Sequence, residues 1–188
     1  LGDVLNQKIV IIPGASRNRG SSISGGGHAW NGVKIEGNWY LVDATWDSGY
    51  VNNSKFTKRY STNYLFPPPE VMVVSHFPKV PEWQLISEAL SMGEFLRQPY
   101  LNPSFFAEGM RLLSPDRSQT DARKDAEIQI NNPGHRHLMA KFSKKGESTD
   151  QACEITGMTA ANITCTFPDD GTYEVTIFSS GEKYGRHW

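Results

Sequence analysis

The sequence predicts an α+β architecture, an antiparallel sheet followed by a small β-sandwich. Three observations point there. Residues 28–46 hold two segments rich in aromatic and β-branched side chains around Glu36-Gly37, the pattern of a β-hairpin. Leu85 to Leu96 is apolar at 85, 86, 89, 90, 92, 95 and 96, close to the spacing of an amphipathic helix, before Pro99 stops it. Beyond residue 101, short strand-like runs recur between clusters of Pro, Gly, Asp and Ser, as in a sandwich. The predicted organisation is therefore a sheet-based core over 1–83, a linker helix over 84–100 and a β-sandwich over 101–188.

Composition removes several function classes. The longest apolar runs, Ile9–Ile12 and Val71–Val74, are far short of the roughly 18 residues a membrane-spanning helix needs. Nineteen basic against twenty acidic residues leave a net charge of −1, so no positive field exists to hold a nucleic-acid backbone. Cys153 and Cys165 are too few for a disulfide-stapled scaffold, and two thiols favour a reducing compartment. Sequons at Asn52 and Asn162 point the other way, but such tripeptides arise often by chance. Leu1 stands where a start would have Met, with no signal pattern before it, so the chain reads as a piece of a longer protein.

In chain order, Lys8–Ile12 is a β-branched run predicted as a strand that Pro13-Gly14 stops. Ala15–Gly27, with its Gly, Asn, Ser and Arg, reads as a solvated loop. The hairpin strands are His28–Ile35 and Asn38–Trp46. Residues 47–69 show no period, and Val71–Val74 suits one more strand. Trp30, Trp39, Trp46 and Trp83 put the dense apolar area of a core in this half. The sandwich strands are Phe105–Leu113, Ala126–Ile130, His137–Phe142, Asn162–Phe167 and Thr172–Phe178.

The hairpin brings two chemical groups together. A two-residue turn at Glu36-Gly37 makes Ile35 face Asn38, so facing pairs sum to 73 and His28 lies diagonal to Asp43 on one face. Diagonal neighbours are about 7–8 Å apart at the backbone, within reach of a carboxylate–imidazole hydrogen bond. An Asp that accepts the imidazole N–H fixes the ring's tautomer, the arrangement that prepares a general base for a thiol or hydroxyl nucleophile. The other reading is a structural hydrogen bond, with the tryptophans as core.

The run His28-Ala29-Trp30-Asn31, then Gly37-Asn38-Trp39-Tyr40-Leu41-Val42-Asp43-Ala44-Thr45-Trp46, resembles the His and Asp segments of transglutaminase-like cysteine enzymes. Ile11-Ile12-Pro13-Gly14-Ala15-Ser16-Arg17 is similar to the strand and turn before the His segment in that superfamily. Ser75-His76-Phe77-Pro78, Trp83-Gln84-Leu85 and Asn102-Pro103-Ser104-Phe105-Phe106, with Gly109 and Leu113-Ser114-Pro115, resemble the kyphoscoliosis peptidase and hillarin family more narrowly.

The resemblance implies the C-terminal part of a papain-like transglutaminase core with a Cys, His, Asp triad. In that triad His28 is the base and Asp43 its orienter, and the site acts on protein amide bonds through a thioester without a cofactor. It also implies a cytoplasmic, cytoskeleton-associated setting with protein partners. One departure matters. The family's nucleophilic Cys precedes the His segment, and residues 1–27 contain no Cys, so this chain alone cannot form the acyl-enzyme and the nucleophile comes from upstream or from another chain. The same residues also suit a non-catalytic scaffold that binds cytoskeletal proteins.

Other candidates read more plainly. Cys165, in an alternating run, is a small buried hydrophobe, and nothing near either Cys would lower its pKa. His76 before Phe77-Pro78 reads as a structural histidine, and His135 with His137 as a two-ligand metal site too weak to rely on. Arg17 and Arg19 read as part of the solvated loop, ahead of a lid over the site or an interaction surface.

Overall fold

A computed structural model describes residues 7–18, 23, 27–52 and 54–183. The chain divides into two compact units, Leu1–Pro103 and Ser104–Trp188.

The first unit is built on a four-stranded antiparallel sheet. Its strands are β1 (Lys8–Ser16), β2 (His28–Ile35) and β3 (Asn38–Val42), joined at the far edge by a short later strand. Glu36 and Gly37 both have positive φ, 49° and 88°, the two-residue turn whose twist matches the strands it joins. The register follows, with Ile35 facing Asn38 and Asn31 facing Val42.

The strand β1 does not stop at Pro13-Gly14. It runs on to Ser16 because Pro13, which has no N–H to give, still accepts a hydrogen bond from Lys79 N through its carbonyl. Gly14 is required there, since a Cβ would lie 2.4 Å from the Phe77 carbonyl oxygen and 2.5 Å from the Trp30 ring. After Arg17, which bridges to Ile23, the predicted loop falls largely outside the described residues, Arg19 included.

The second hairpin strand is shorter than predicted. It ends at Val42, and Asp43 caps a helix, α1 (Ala44–Ser48). An Asp before Ala-Thr-Trp offers its carboxylate to the free N–H groups of a first turn, and that local bond overrides the strand propensity of Thr45 and Trp46. An exposed hairpin, β4 (Gly49–Asn52) with β5 (Lys55–Lys58), occupies part of the aperiodic stretch.

Val71–Val74, predicted as a strand, is buried in a helical turn instead. Pro69 opens α2 (Pro69–Met72), where a missing N–H costs nothing, and β6 (His76–Pro78) then pairs with β1. Helix over Leu85–Leu96 is confined to α3 (Met92–Arg97), which opens with a Ser91–Glu94 capping box. A 3₁₀ turn, Pro81–Gln84, and extended chain fill the rest, with Gln84 bonded through its side chain to both backbone groups of Leu90. The core of this unit gathers Ile12, Trp30, Leu41, Tyr64 and Met72 on one face of the sheet.

The second unit is a β-sandwich. Phe105–Leu113, read as one strand, is α4 (Pro103–Ala107) followed by β7 (Arg111–Ser114). Then come β8 (Asp125–Asn131), β9 (His137–Lys144), β10 (Asp150–Ala152), β11 (Glu154–Thr156), β12 (Ala160–Thr166) and β13 (Tyr173–Ser180). One sheet has the order β10-β9-β13, the other β11-β12-β8-β7. Alternation along the strands sends Ile130, Ala140, Phe142, Ala161 and Ile163 into the core between them.

The two cysteines are not free thiols. Cys153 and Cys165 form a disulfide at the point where β10 leaves one sheet and β11 joins the other. The reading of Cys165 as a buried side chain holds, at 0% exposure, but its sulfur is a crosslink and neither cysteine is a nucleophile in this state.

Candidate active site

The side chains that converge are His28, Asp43 and His76. His28 begins β2, and its parity matches Trp30 on the core face. Asp43 follows buried Leu41 by two residues, so it keeps the inward direction of that face although the strand has ended. His76 begins β6 and faces Ser16 of β1. Each of the three is therefore placed by the sheet.

Asp43 divides its carboxylate. Oδ1 accepts from Thr45 N at 2.9 Å and Trp46 N at 3.0 Å, the cap of α1. Oδ2 contacts His28 Nε2 at 2.5 Å and His76 Nε2 at 3.0 Å. The Asp43 and His76 side chains are 1% and 0% exposed, and His28 is 17% exposed, which leaves the edge of one imidazole open. With Nε2 turned to the carboxylate, Nδ1 is the ring nitrogen of His28 that remains for chemistry.

Burial raises the Asp43 carboxyl, but the hydrogen bonds from His76, His28 and Trp46 N outweigh it and bring the pKa below the ordinary carboxylate value. Asp43 is thus an anion. His76 moves down from the ordinary histidine value, first because burial penalises the imidazolium, so it is held neutral despite the carboxylate. On the other side of its ring, Ser75 Oγ lies 2.8 Å from Nδ1. Ser75 also reaches the Tyr64 hydroxyl at 3.3 Å, and burial is the main reason Tyr64 is driven well above the usual phenol range.

Aromatic rings enclose the pair of imidazoles. Trp46 lies 4.6 Å from His76 and 5.7 Å from His28, Trp30 lies 5.0 Å from His76, and Tyr64 5.1 Å, centroid to centroid. Tyr64 is brought in by Asp47, a buried acid on α1 that accepts from Ser61 Oγ at 2.7 Å and Tyr64 N at 3.1 Å. These rings exclude water and strengthen the electrostatics between them.

His28, Asp43 and His76 also have the donor types of a cation site. Two donors on one zinc ion at 2.0–2.1 Å sit roughly 3.3–3.4 Å apart in a tetrahedron. The 2.5 Å between His28 and Asp43 is a hydrogen bond's length, not that spacing.

His28 and Asp43, paired by the hairpin register, are brought together. His76, expected as an isolated structural histidine, joins them. His76 is fully satisfied, but its partner is the same carboxylate oxygen. His135 and His137 do not share a strand face, because His135 sits in a turn at φ 50° with Nε2 2.9 Å from Thr159 Oγ1. Arg17 is no solvated loop residue. It is 1% exposed and donates to the carbonyls of Val74 at 2.8 Å, Leu96 at 3.3 Å and Gln98 at 3.1 Å. Phe95 lies under its guanidinium at 4.8 Å. Nothing in the sequence around Arg17 signals this, since its partners lie 57 to 81 residues away.

Comparison with known proteins adds the lineage. A family model described as "KY-like, immunoglobulin-like domain" matches residues 92–185. The kyphoscoliosis peptidase of Mus musculus is 32% identical over 96% of this chain and 28% of its own length. The chain belongs to the kyphoscoliosis peptidase and hillarin family. The Caenorhabditis elegans protein named "Lim and transglutaminase domain protein ltd-1" is 23% identical over 64% of this chain and 17% of its own length. Hillarin of Drosophila melanogaster is 24% identical over 44% of this chain and 12% of its own length. The chain thus spans less than a third of the length of the kyphoscoliosis peptidase it matches. The sandwich of β7–β13 falls within the residues that match the immunoglobulin-like model. No helix among the described residues is long and apolar enough to cross a membrane.

Proposed function

We propose that the first unit of this kyphoscoliosis peptidase relative carries the His28–Asp43 part of a transglutaminase-like cysteine site, with the thiol supplied by another part of the parent protein or by a separate chain. The observation that carries this reading is the 2.5 Å contact of His28 Nε2 with an ionised, buried Asp43. The imidazole then takes a thiol proton on Nδ1, and the thiolate attacks the carbonyl carbon of a protein amide. The amide C–N bond breaks, the leaving nitrogen takes the proton from the imidazolium, and a thioester remains. Water ends the cycle as hydrolysis; an amine ends it as a crosslink.

Because Cys153 and Cys165 are bonded to each other, neither serves as that thiol. The mutual satisfaction of His28, Asp43 and His76 favours a second reading, a protein-binding module whose site survives as scaffold. Cytoskeletal partners and a cytoplasmic setting rest on the family alone, and the disulfide opposes the latter, since such bonds persist in oxidising compartments.

The test is to incubate the parent protein with a glutamine-rich protein and a labelled primary amine, then analyse the products for label and for cleavage. Either product, lost on His28→Ala, supports the enzyme. Neither product, with the fold intact, supports the scaffold.

A further inference from the structure

We infer that His76 is a positioning residue of the His28–Asp43 pair, and that Ser75 fixes its proton so that the shared carboxylate oxygen is aimed at His28. The inference is independent of whether a thiol ever arrives, although its catalytic meaning rests on the reading above.

The proton order follows from counting donors. Asp43 is ionised and can only accept, so both Nε2 atoms that reach Oδ2, at 2.5 Å and 3.0 Å, must bear protons. His76 is neutral and has one ring proton, so its Nδ1 is bare and must accept. The donor within reach is Ser75 Oγ, at 2.8 Å, whereas the Met72 backbone carbonyl that also meets the ring can only accept. A serine hydroxyl has one proton, and the 2.8 Å contact with His76 takes it over the longer, 3.3 Å contact in which Ser75 would donate to Tyr64. Were it turned to Tyr64, His76 would have to donate from Nδ1 and would present a lone pair to the carboxylate.

The consequences reach His28. Oδ1 is fixed by the helix cap, and His76 restrains Oδ2 from the side opposite solvent, so the carboxylate cannot rotate away from His28. His28 is consequently held with its Nε2 proton on the carboxylate, which leaves Nδ1 as the nitrogen able to act as a base. Ser75 and His76 are themselves anchored by β6, whose pairing with β1 includes Ser16 opposite His76, and by the Arg17 N to Ser75 O bond of 2.9 Å.

The test uses the 188-residue chain labelled at its imidazole nitrogens and read by long-range proton–nitrogen correlation on the alkaline side of the histidine range. His76 is expected to show a protonated Nε2 and bare Nδ1, and His28 the same, with both Nε2 protons slow to exchange. In His76→Leu, losing one hydrogen bond to the carboxylate speeds exchange of the His28 Nε2 proton by about tenfold or more and mixes its tautomers. In His76→Gln an amide N–H replaces Nε2–H and restores the wild-type His28 pattern, which a purely packing role would not require. A proton on His76 Nδ1, or a His28 signal unmoved in folded His76→Leu, overturns the inference. Should His76→Leu not fold, Ser75→Ala decides it. The His76 proton must then redistribute between the two nitrogens, and a proton still confined to Nε2 removes the role assigned to Ser75 and with it the inference. Failure of thiol chemistry in the parent protein would refute the cysteine-enzyme reading while leaving these signals as they are.

Discussion

Asp43 Oδ2 sits 2.5 Å from His28 Nε2 and 3.0 Å from His76 Nε2, while Oδ1 of the same carboxylate caps α1. One side chain thus ends a strand, starts a helix and binds two imidazoles. Asp43→Ala removes a cap worth about 1 kcal/mol and strands a buried donor at about 1–3 kcal/mol, so the first unit should lose roughly 2–4 kcal/mol in urea unfolding. Asp43→Asn keeps a capping oxygen and should cost less stability, but it removes the charge that orients the base.

Acid should weaken the first unit in two stages. His76 has a folded pKa below its ordinary 6.5, so the unfolded chain binds that proton first. Its contribution is whole above about pH 6.5 and falls as the pH drops below that value. Asp43 is also depressed, so its share is whole above its ordinary 3.8 and disappears as the pH falls through the folded value. Urea midpoints measured across pH 3–7 should decline in both windows, and His76→Gln should abolish the upper one.

The buried guanidinium of Arg17 gives a different prediction. Its three carbonyl acceptors lie on Val74, Leu96 and Gln98, and an ammonium at the end of a lysine cannot match that fork. Arg17→Lys should destabilise the first unit by about 2–3 kcal/mol, and Arg17→Ala by more, because one buried and two half-buried carbonyls then lose their guanidinium donor. Thermal unfolding read at the tryptophans of this unit would check it.

The disulfide makes the fourth prediction. Cys153 and Cys165 are 12 residues apart in sequence, and closing a loop of about that size stabilises by about 3 kcal/mol in the chain-entropy model. Purified chain should contain no alkylatable thiol until it is denatured and reduced. The double Cys→Ala variant should lower the urea midpoint of the sandwich and leave that of the first unit unchanged.

What the sequence made legible was local. The Glu36-Gly37 turn set the register, and the register put His28 and Asp43 on one face even though Asp43 turned out to cap a helix. The sandwich strands from Ala126 onward alternate cleanly and are found where their pattern predicts. The parts it hid depend on distant partners. His76 gains its meaning from β6 pairing with β1, and Arg17 from three carbonyls 57 to 81 residues away. Val71–Val74 looks like a strand because four apolar residues in a row are buried on every side, which a helical turn after Pro69 also achieves. The short β10 and β11 have no apolar period of their own, and the Cys153–Cys165 bond sits where the chain switches between sheets.

On the proposed function, the His28–Asp43 pair activates a thiol. The most direct measurement is the rate of iodoacetamide alkylation of the parent protein as a function of pH, compared with His28→Ala and Asp43→Asn. One thiol, absent from this chain, should react fast at neutral pH and be slowed at least about a hundredfold by either substitution, as expected when a base or its orienter is lost. A parent protein with no such thiol, or one whose rate is indifferent to both substitutions, would refute that activation.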